Sequence, residues 1–335
     1  AKKVTSKGGF SVFFLDICHT NDKLPTFKIN FKDEKKLNDF RCTRSFCPHG
    51  LRTRKEICPL QCSVLQYGEL SMLSTDKLPM GPAIIGVSEI ENYRVLEDIL
   101  KQPVLADRGY QYVHYEGADQ RGVDCAFFYN PKLFELTNSK LVPYVYINDT
   151  VHKTRGFLIA SGNIAGEKMH FIVNHWPSRA AASPARERAG EQVRAIKDSL
   201  LREDSAAKIV IMGDMNDDPM DKSMAVALGA KRKPADVGPT DLYNPWWDTL
   251  KKGYGTLMYK GKWNLFDQIV FTGNLLGTDR STLKFYKHEI FRRDFMFQKE
   301  GKYKGYPKRT QAGGVWLNGY SDHLPTIIYL IKEVK

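Results

Sequence analysis

From Pro82 to the C-terminus, short apolar runs recur at close intervals, and this recurrence limits the fold more than any other feature of the chain. PAIIGVSE (82–89), QYVHYE (111–116), VDCAFFY (123–129), GFLIASGNI (156–164), KMHFIVNHW (168–176), KIVIMGD (208–214), LFDQIVFTG (265–273) and PTIIYLI (325–331) are all of strand length, and FSVFFL (10–15) adds one near the start. Runs of this length, rich in Val, Ile and Phe, suit strands buried in the middle of a sheet. After Glu89, Ile90, Tyr93 or Arg94, Leu96 or Glu97, and Leu100 fall at helical spacing, so a strand passes into a helix at an acidic residue. A second helix is predicted from Ser183 and Pro184, an N-cap and first-turn proline, with Ala185, Ala189, Val193, Ile196 and Leu200 as its apolar stripe. Strands and helices interleave without a Gly/Ser- or Pro-rich linker and without repeats, which reads as one mixed α/β domain over 1–335. The segment 16–77 is atypical: charged, cysteine-rich and poorly periodic.

The chain carries 50 Lys and Arg against 38 Asp and Glu, a formal charge of +12. Such a surface attracts polyanions, among them nucleic acid, phosphorylated metabolites and anionic headgroups, although a basic solvated face without a partner fits the same number. No apolar run reaches the 18 or more residues of a membrane-spanning helix. Of the six cysteines, Cys42, Cys47, Cys58 and Cys62 crowd into one basic stretch with His49, but their spacings match no tight zinc signature. Thiols or one or two disulfides are the expectation there.

Chemistry-bearing residues collect at the ends of the apolar runs. GDMNDDP (213–219) sets Asp214 and Asn216 two apart after KIVIM, on one side of an extended chain, where a carboxylate and an amide can hold a cation or a phosphate oxygen. SDHLP (321–325) places Asp322 and His323 together before the last strand. FDQI (266–269) puts Asp267 inside an apolar pattern, where a carboxylate needs a hydrogen-bond partner; His323 is the natural one, a salt bridge to Arg or Lys the alternative. NHWPSR (174–179) brings Asn174, His175 and Arg179 to another strand end, with Arg179 able to fork onto a phosphate and His175 readable as a satisfied core histidine. DQRGVD (119–124) adds Arg121 and two acids. Strand ends that each deliver Asp, Asn, His or Glu suit metal-assisted phosphoryl transfer, because magnesium takes oxygen ligands and the in-line reaction needs an activated water and neutralised charge.

Taken in order, Glu89 in GVSEIEN, His175 in NHWPSR, Asp214 and Asn216 in GDMNDDP, Asp267 in FDQI, and Asp322 and His323 in SDHLP resemble the motif series of the endonuclease/exonuclease/phosphatase superfamily, the deoxyribonuclease I-like group, over about Pro82 to Leu330. The resemblance implies a four-layer α/β/β/α sandwich of two mixed β-sheets with its site at one end. It implies a hydrolase of phosphate esters using Mg2+, with Mn2+ as a substitute. Glu89 would be the principal metal ligand, with Asp322 assisting and Asp16 standing where the family's first strand usually ends in Asn. Asp214 would orient or deprotonate the attacking water, and Asn216 would hold the phosphate. His323, held by Asp267, would stabilise the phosphoryl oxygen, and His175 would serve as an acid or phosphate contact. Arg121, Asn174 and Arg179 complete the expected substrate-binding set. The leading substrate expectation is a phosphodiester, nucleic acid in the first place; a phosphatase or phospholipase-like enzyme on inositol phosphates or sphingomyelin, or a non-catalytic polyanion binder, are the competing readings. Relatives with these motifs often belong to exported bacterial proteins, so a secreted or periplasmic location with the signal removed is expected.

Overall fold

The structure, a computed structural model, describes residues 7–16, 81–146, 151–312, 315–317 and 319–333. Except for Asp16, the atypical 16–77 segment lies outside these residues, and with it Cys18, Cys42, Cys47, Cys58 and Cys62; Cys125 is buried in the core.

Strands β1 (Lys7–Asp16), β2 (Ile84–Ile90), β3 (Gln111–His114) and β4 (Asp124–Tyr129) belong to one sheet, with β14 (Lys284–Ile290) and β17 (Thr326–Glu333), in the order β14-β17-β1-β2-β4-β3. The other large sheet runs β5-β6-β7-β8-β13-β10-β9, from β5 (Phe134–Val142), β6 (Phe157–Ile164), β7 (Glu167–His175), β8 (Lys208–Asp214), β9 (Ala230–Lys231), β10 (Leu242–Tyr243) and β13 (Asp267–Thr272). Alternation along the strands decides the layers. Ile84, Phe127, Phe171, Val210, Met212, Ile269 and Ile328 share the core between the sheets. Ile85, Val87 and Phe128, one step along, pack against Leu96 and Ile99 of helix α1 (Tyr93–Leu100). Ile209, Ile211 and Ile172 pack on the other outer face against Ala189, Val193 and Leu200 of helix α2 (Ser183–Glu203). Helix, sheet, sheet and helix therefore stack as four layers, as the sequence implies.

The helix start differs from expectation. Ala182 is the N-cap of α2 and offers no side-chain bond, while the Ser183 hydroxyl donates to Glu187 Oε1 at 3.0 Å inside the first turn. Pro184 keeps its predicted first-turn place because that turn requires no N–H from it.

Register brings the motifs together. In the second sheet His175 pairs with Asp214 across the parallel β7/β8 ladder, and Asp214 pairs with Asp267 across the antiparallel β8/β13 ladder, so three candidate residues form one row. In the first sheet Asp16 pairs with Ser88 at the shared end of β1 and β2, and β17 starts beside that end, with Phe14 paired to Thr326.

A half-buried histidine on β14 makes the fold acid-sensitive. His288 on β14 stands edge-on to the Trp246 ring at 4.8 Å and shares a 2.9 Å hydrogen bond with Thr249 Oγ1. Burial, aided by Lys252, lowers its pKa from 6.5 to about 4. The unfolded chain therefore binds a proton between those values that the native chain refuses, and stability falls as pH drops from about 6.5 towards 4 and is flat on either side. The full loss is roughly 3 kcal/mol. Urea melts between pH 7 and 4 are expected to show a shallower acid slope for His288→Gln than for the wild type; equal slopes would contradict this assignment.

Candidate active site

Glu89 reaches the site through a break in β2. Val87 pairs with Ala126 and Ile90 with Asp124, so Ser88 and Glu89 together oppose Cys125, and Glu89 takes φ +61°. Bulges re-aim side chains, and positive φ at a non-glycine residue is held only where surroundings enforce it. The carboxylate of Glu89 lies 3.8 Å from Arg121 Nη1 and 3.8 Å from His175 Nδ1. Asn216, with φ +51°, is the second strained residue at the site.

Asp214 is buried at the end of β8, with Oδ1 accepting from the Asn216 backbone N–H at 2.8 Å and Oδ2 from Asn216 Nδ2 at 3.2 Å. Burial, with the Asp267 and Glu89 carboxylates nearby, pushes its carboxyl up to about 7 against the opposing pull of His323. Asp267 Oδ2 bonds His323 Nδ1 at 2.8 Å, the pairing the sequence predicts. Their backbones are pinned too: Asp267 N–H donates to Thr256 Oγ1 and His323 N–H to Ser321 Oγ. One ligand atom from each of Asp214, Asp267 and His323 lies within 4.8 Å of the others.

His175 sits between Glu89 and Asp214, its Nε2 3.7 Å from Asp214 Oδ2. Burial, then Arg155 and Arg121, hold its pKa well below the usual histidine value. It is a neutral imidazole, able to donate or accept one hydrogen bond but poorly suited to storing a proton for a leaving group. Its Nδ1 is buried without a hydrogen-bond partner among the described residues, as is Asp267 Oδ1. Unsatisfied atoms facing a carboxylate-rich cluster fit a hard cation or a phosphate oxygen. Glu89, beside His175, offers the carboxylate oxygens a divalent ion of the magnesium class takes, while Asp267 is engaged by His323.

Three expected contacts are placed elsewhere. Asn174 is fully buried, donating to the Ile172 and Met212 carbonyls and accepting from Trp176 Nε1, so its amide serves the strand pair rather than a substrate. Arg179 lies over the Phe266 ring at 4.4 Å and donates to Asn216 O at 3.0 Å, Asp218 Oδ2 at 3.2 Å and Asp221 Oδ2 at 2.8 Å. Its guanidinium is thus engaged by two acids of the loop after β8, and its Nη1 reaches Asn264 Oδ1 at 3.4 Å. Asp322 is exposed and paired with Arg309, outside the Asp214–Asp267–His323 group. Asn216 spends both amide hydrogens, on Trp176 O and Asp214 Oδ2. Of Asp16 the structure describes the strand end beside Ser88.

Two residues went unassigned in the sequence. Arg155, buried, donates to Asp119 Oδ2 and to Trp176 O, both at 2.9 Å, and Asp119 Oδ1 accepts the Arg121 N–H at 2.9 Å. This chain of bonds ties the Arg121 loop to the end of β7. An arginine before an apolar run carries no sequence signal separating it from a surface arginine.

The model of a family described as the Endonuclease/Exonuclease/phosphatase family matches residues 66–332. The chain belongs to this family. Among solved structures, an endonuclease/exonuclease/phosphatase family protein from Bacteroides thetaiotaomicron is similar at 13% identity and TM-score 0.57, covering 99% of this chain and 98% of the other. ANGEL2, described as a 2′,3′-cyclic phosphatase, is similar at 12% identity and TM-score 0.57, covering 98% and 97%. A humanized D. rerio TDP2 is similar at 14% identity and TM-score 0.53, covering 96% and 99%. No curated protein matches the chain. At these identities the likeness establishes the shared fold, and the family match makes this chain a phosphoester hydrolase by class.

Proposed function

We propose that the chain is a magnesium-dependent phosphodiesterase. The observation that carries this reading is the row at the strand ends: Asp214 beside an imidazole whose Nδ1 is held by Asp267 at 2.8 Å, with Glu89 and His175 against it. In this reading His323 is the imidazolium, its Nδ1–H held by the Asp267 carboxylate, and it donates from Nε2–H to a non-bridging phosphoryl oxygen as charge builds there. Asp214 takes a proton from the water that attacks phosphorus, and as the ester P–O bond breaks the leaving alkoxide departs and takes its proton from solvent. Asn216, both amide hydrogens already committed, orients Asp214 rather than gripping the phosphate. Neutral His175 contacts a phosphate oxygen, and Arg121, half exposed beside Glu89, adds positive charge at the mouth. Glu89 would hold the cation, with Asp16 at the adjoining strand end as the second candidate ligand. A divalent ion held there would neutralise phosphoryl charge and make the attacking water more acidic.

The test is hydrolysis of bis-p-nitrophenyl phosphate with magnesium and with EDTA, beside the monoester p-nitrophenyl phosphate. Diester hydrolysis abolished by EDTA is the expected result; preference for the monoester would indicate a phosphatase, and turnover of neither would favour a non-catalytic polyanion binder. For Glu89→Gln, which keeps shape and removes charge, the magnesium concentration giving half-maximal rate is expected to rise about tenfold or more, the equivalent of losing about 1.4 kcal/mol of ion affinity. An unchanged magnesium requirement would remove Glu89 from the metal site.

A further inference from the structure

The chain's excess positive charge is concentrated in two segments. Residues 251–264 and 292–309 hold eleven Lys and Arg against two Asp and Glu, nine of the twelve net charges of the whole chain. The fold joins these segments. The first carries the hairpin of β11 (Leu257–Tyr259) and β12 (Lys262–Asn264), and the N–H of Gly261 at its turn donates to the Tyr306 hydroxyl at 2.7 Å. Tyr306 packs edge-on to Tyr303 with ring centroids 5.4 Å apart. Arg292 pins both segments from beneath, lying over the rings of Trp263 at 4.8 Å and Phe297 at 5.0 Å.

The outer side of this surface alternates rings and cations. Tyr254, Tyr259 and Tyr303 are 51%, 62% and 57% exposed, values that core packing does not explain. Lys260 and Lys302 lie over the Tyr259 and Tyr303 rings at 5.3 and 5.6 Å. The hairpin also borders the site: Leu257 forms an antiparallel bridge with His323, and the Leu324 N–H donates to Thr256 O at 2.8 Å. Tyr259, two residues beyond Leu257, stands about 7 Å along the strand from that bridge.

We propose that this face binds single-stranded nucleic acid and leads it to the active site, with bases stacking on Tyr259 and Tyr303 and phosphates meeting Lys260, Lys262 and Lys302. Exposed rings interleaved with lysines are what a single strand needs, since every unpaired base offers a face and every linkage a charge. A duplex hides its base faces, and an anionic lipid surface calls for buried apolar wedges rather than flat hydroxylated rings. The proposal deepens the phosphodiesterase reading by naming its substrate class.

The test measures binding without turnover: fluorescence anisotropy of a fluorescein-labelled oligothymidylate of about 12 nucleotides, in EDTA, against the full chain. Tyr259→Ala combined with Tyr303→Ala is expected to weaken binding about 10- to 100-fold, and Lys260→Gln with Lys262→Gln to flatten the log–log salt slope by roughly 1.4. Matched thermal melts check that the fold is kept in both. Wild-type affinity in the tyrosine variant, tighter binding of a labelled duplex, or binding to phosphatidylserine vesicles but not to the oligonucleotide would each overturn the proposal. Strand binding with no diester hydrolysis would sink the hydrolase reading alone, and hydrolysis without strand binding would sink this inference alone.

Discussion

His323→Ala and Asp267→Asn are each expected to lower kcat on a diester by roughly 10²- to 10⁴-fold, and the double variant by little more than either one. The reason is that the two side chains act as a unit. Asp267 Oδ2 holds His323 Nδ1 at 2.8 Å, so the carboxylate fixes the ring's orientation and stabilises the imidazolium that donates from Nε2. An asparagine in its place keeps the shape but removes the negative charge that stabilises the imidazolium. Once that charge is lost, removing the ring costs little further, and once the ring is lost, its holder has nothing to orient. A double-mutant cycle on kcat measures this coupling, with melting curves to show that the isosteric Asp267→Asn variant remains folded. Losses that multiply would show that the residues work separately, and wild-type rates in either single variant would remove the pair from the reaction.

This pair was legible in the sequence for a physical reason. A carboxylate inside the apolar pattern of FDQI must have a partner, and only a few side chains can supply one. The same logic recovered the strands, because alternate burial in two cores leaves runs such as KIVIM apolar on both faces. The ion-pair partners of Arg179 and Asp322 were hidden because charge pairing is not encoded locally. Arg179 finds Asp218 and Asp221 across about forty residues of chain, and Asp322 finds Arg309 across thirteen. Nothing in NHWPSR or SDHLP distinguishes a phosphate from a neighbouring carboxylate as the partner. The bonds of Asn174 were hidden for a related reason: its neighbour His175 faces the site, and period-two geometry turns Asn174 to the opposite side, where the Met212 carbonyl and Trp176 indole take it. Arg155 was invisible because its importance comes from Asp119 and the Trp176 carbonyl, neither of which is near in sequence.

Gly213→Ala is expected to damage stability and turnover together. Gly213 pairs with Asn174 where β7 and β8 run in parallel, and a β-carbon there would lie 2.1 Å from the Asn174 carbonyl oxygen and 2.8 Å from the Asn174 Cβ. Its φ of +155° adds strain for any residue with a side chain. The obstacle is backbone in the middle of a sheet, so relief requires the two strands to part rather than a side chain to swing away. Overpacking that moves backbone costs about 3 kcal/mol or more, which for a chain of 335 residues lowers Tm by roughly 4 °C or more. The strands would separate one residue before His175 and Asp214, which pair in the next rung and contact each other at 3.7 Å. The rate measured well below Tm should therefore fall by more than the unfolded fraction accounts for, since displacement of a reacting group by about 1 Å can cost on the order of 10²-fold. A variant with lowered Tm but full specific activity would show that the row tolerates strand separation. One with wild-type Tm would show that the close approach of β7 and β8 is not what holds the catalytic row together.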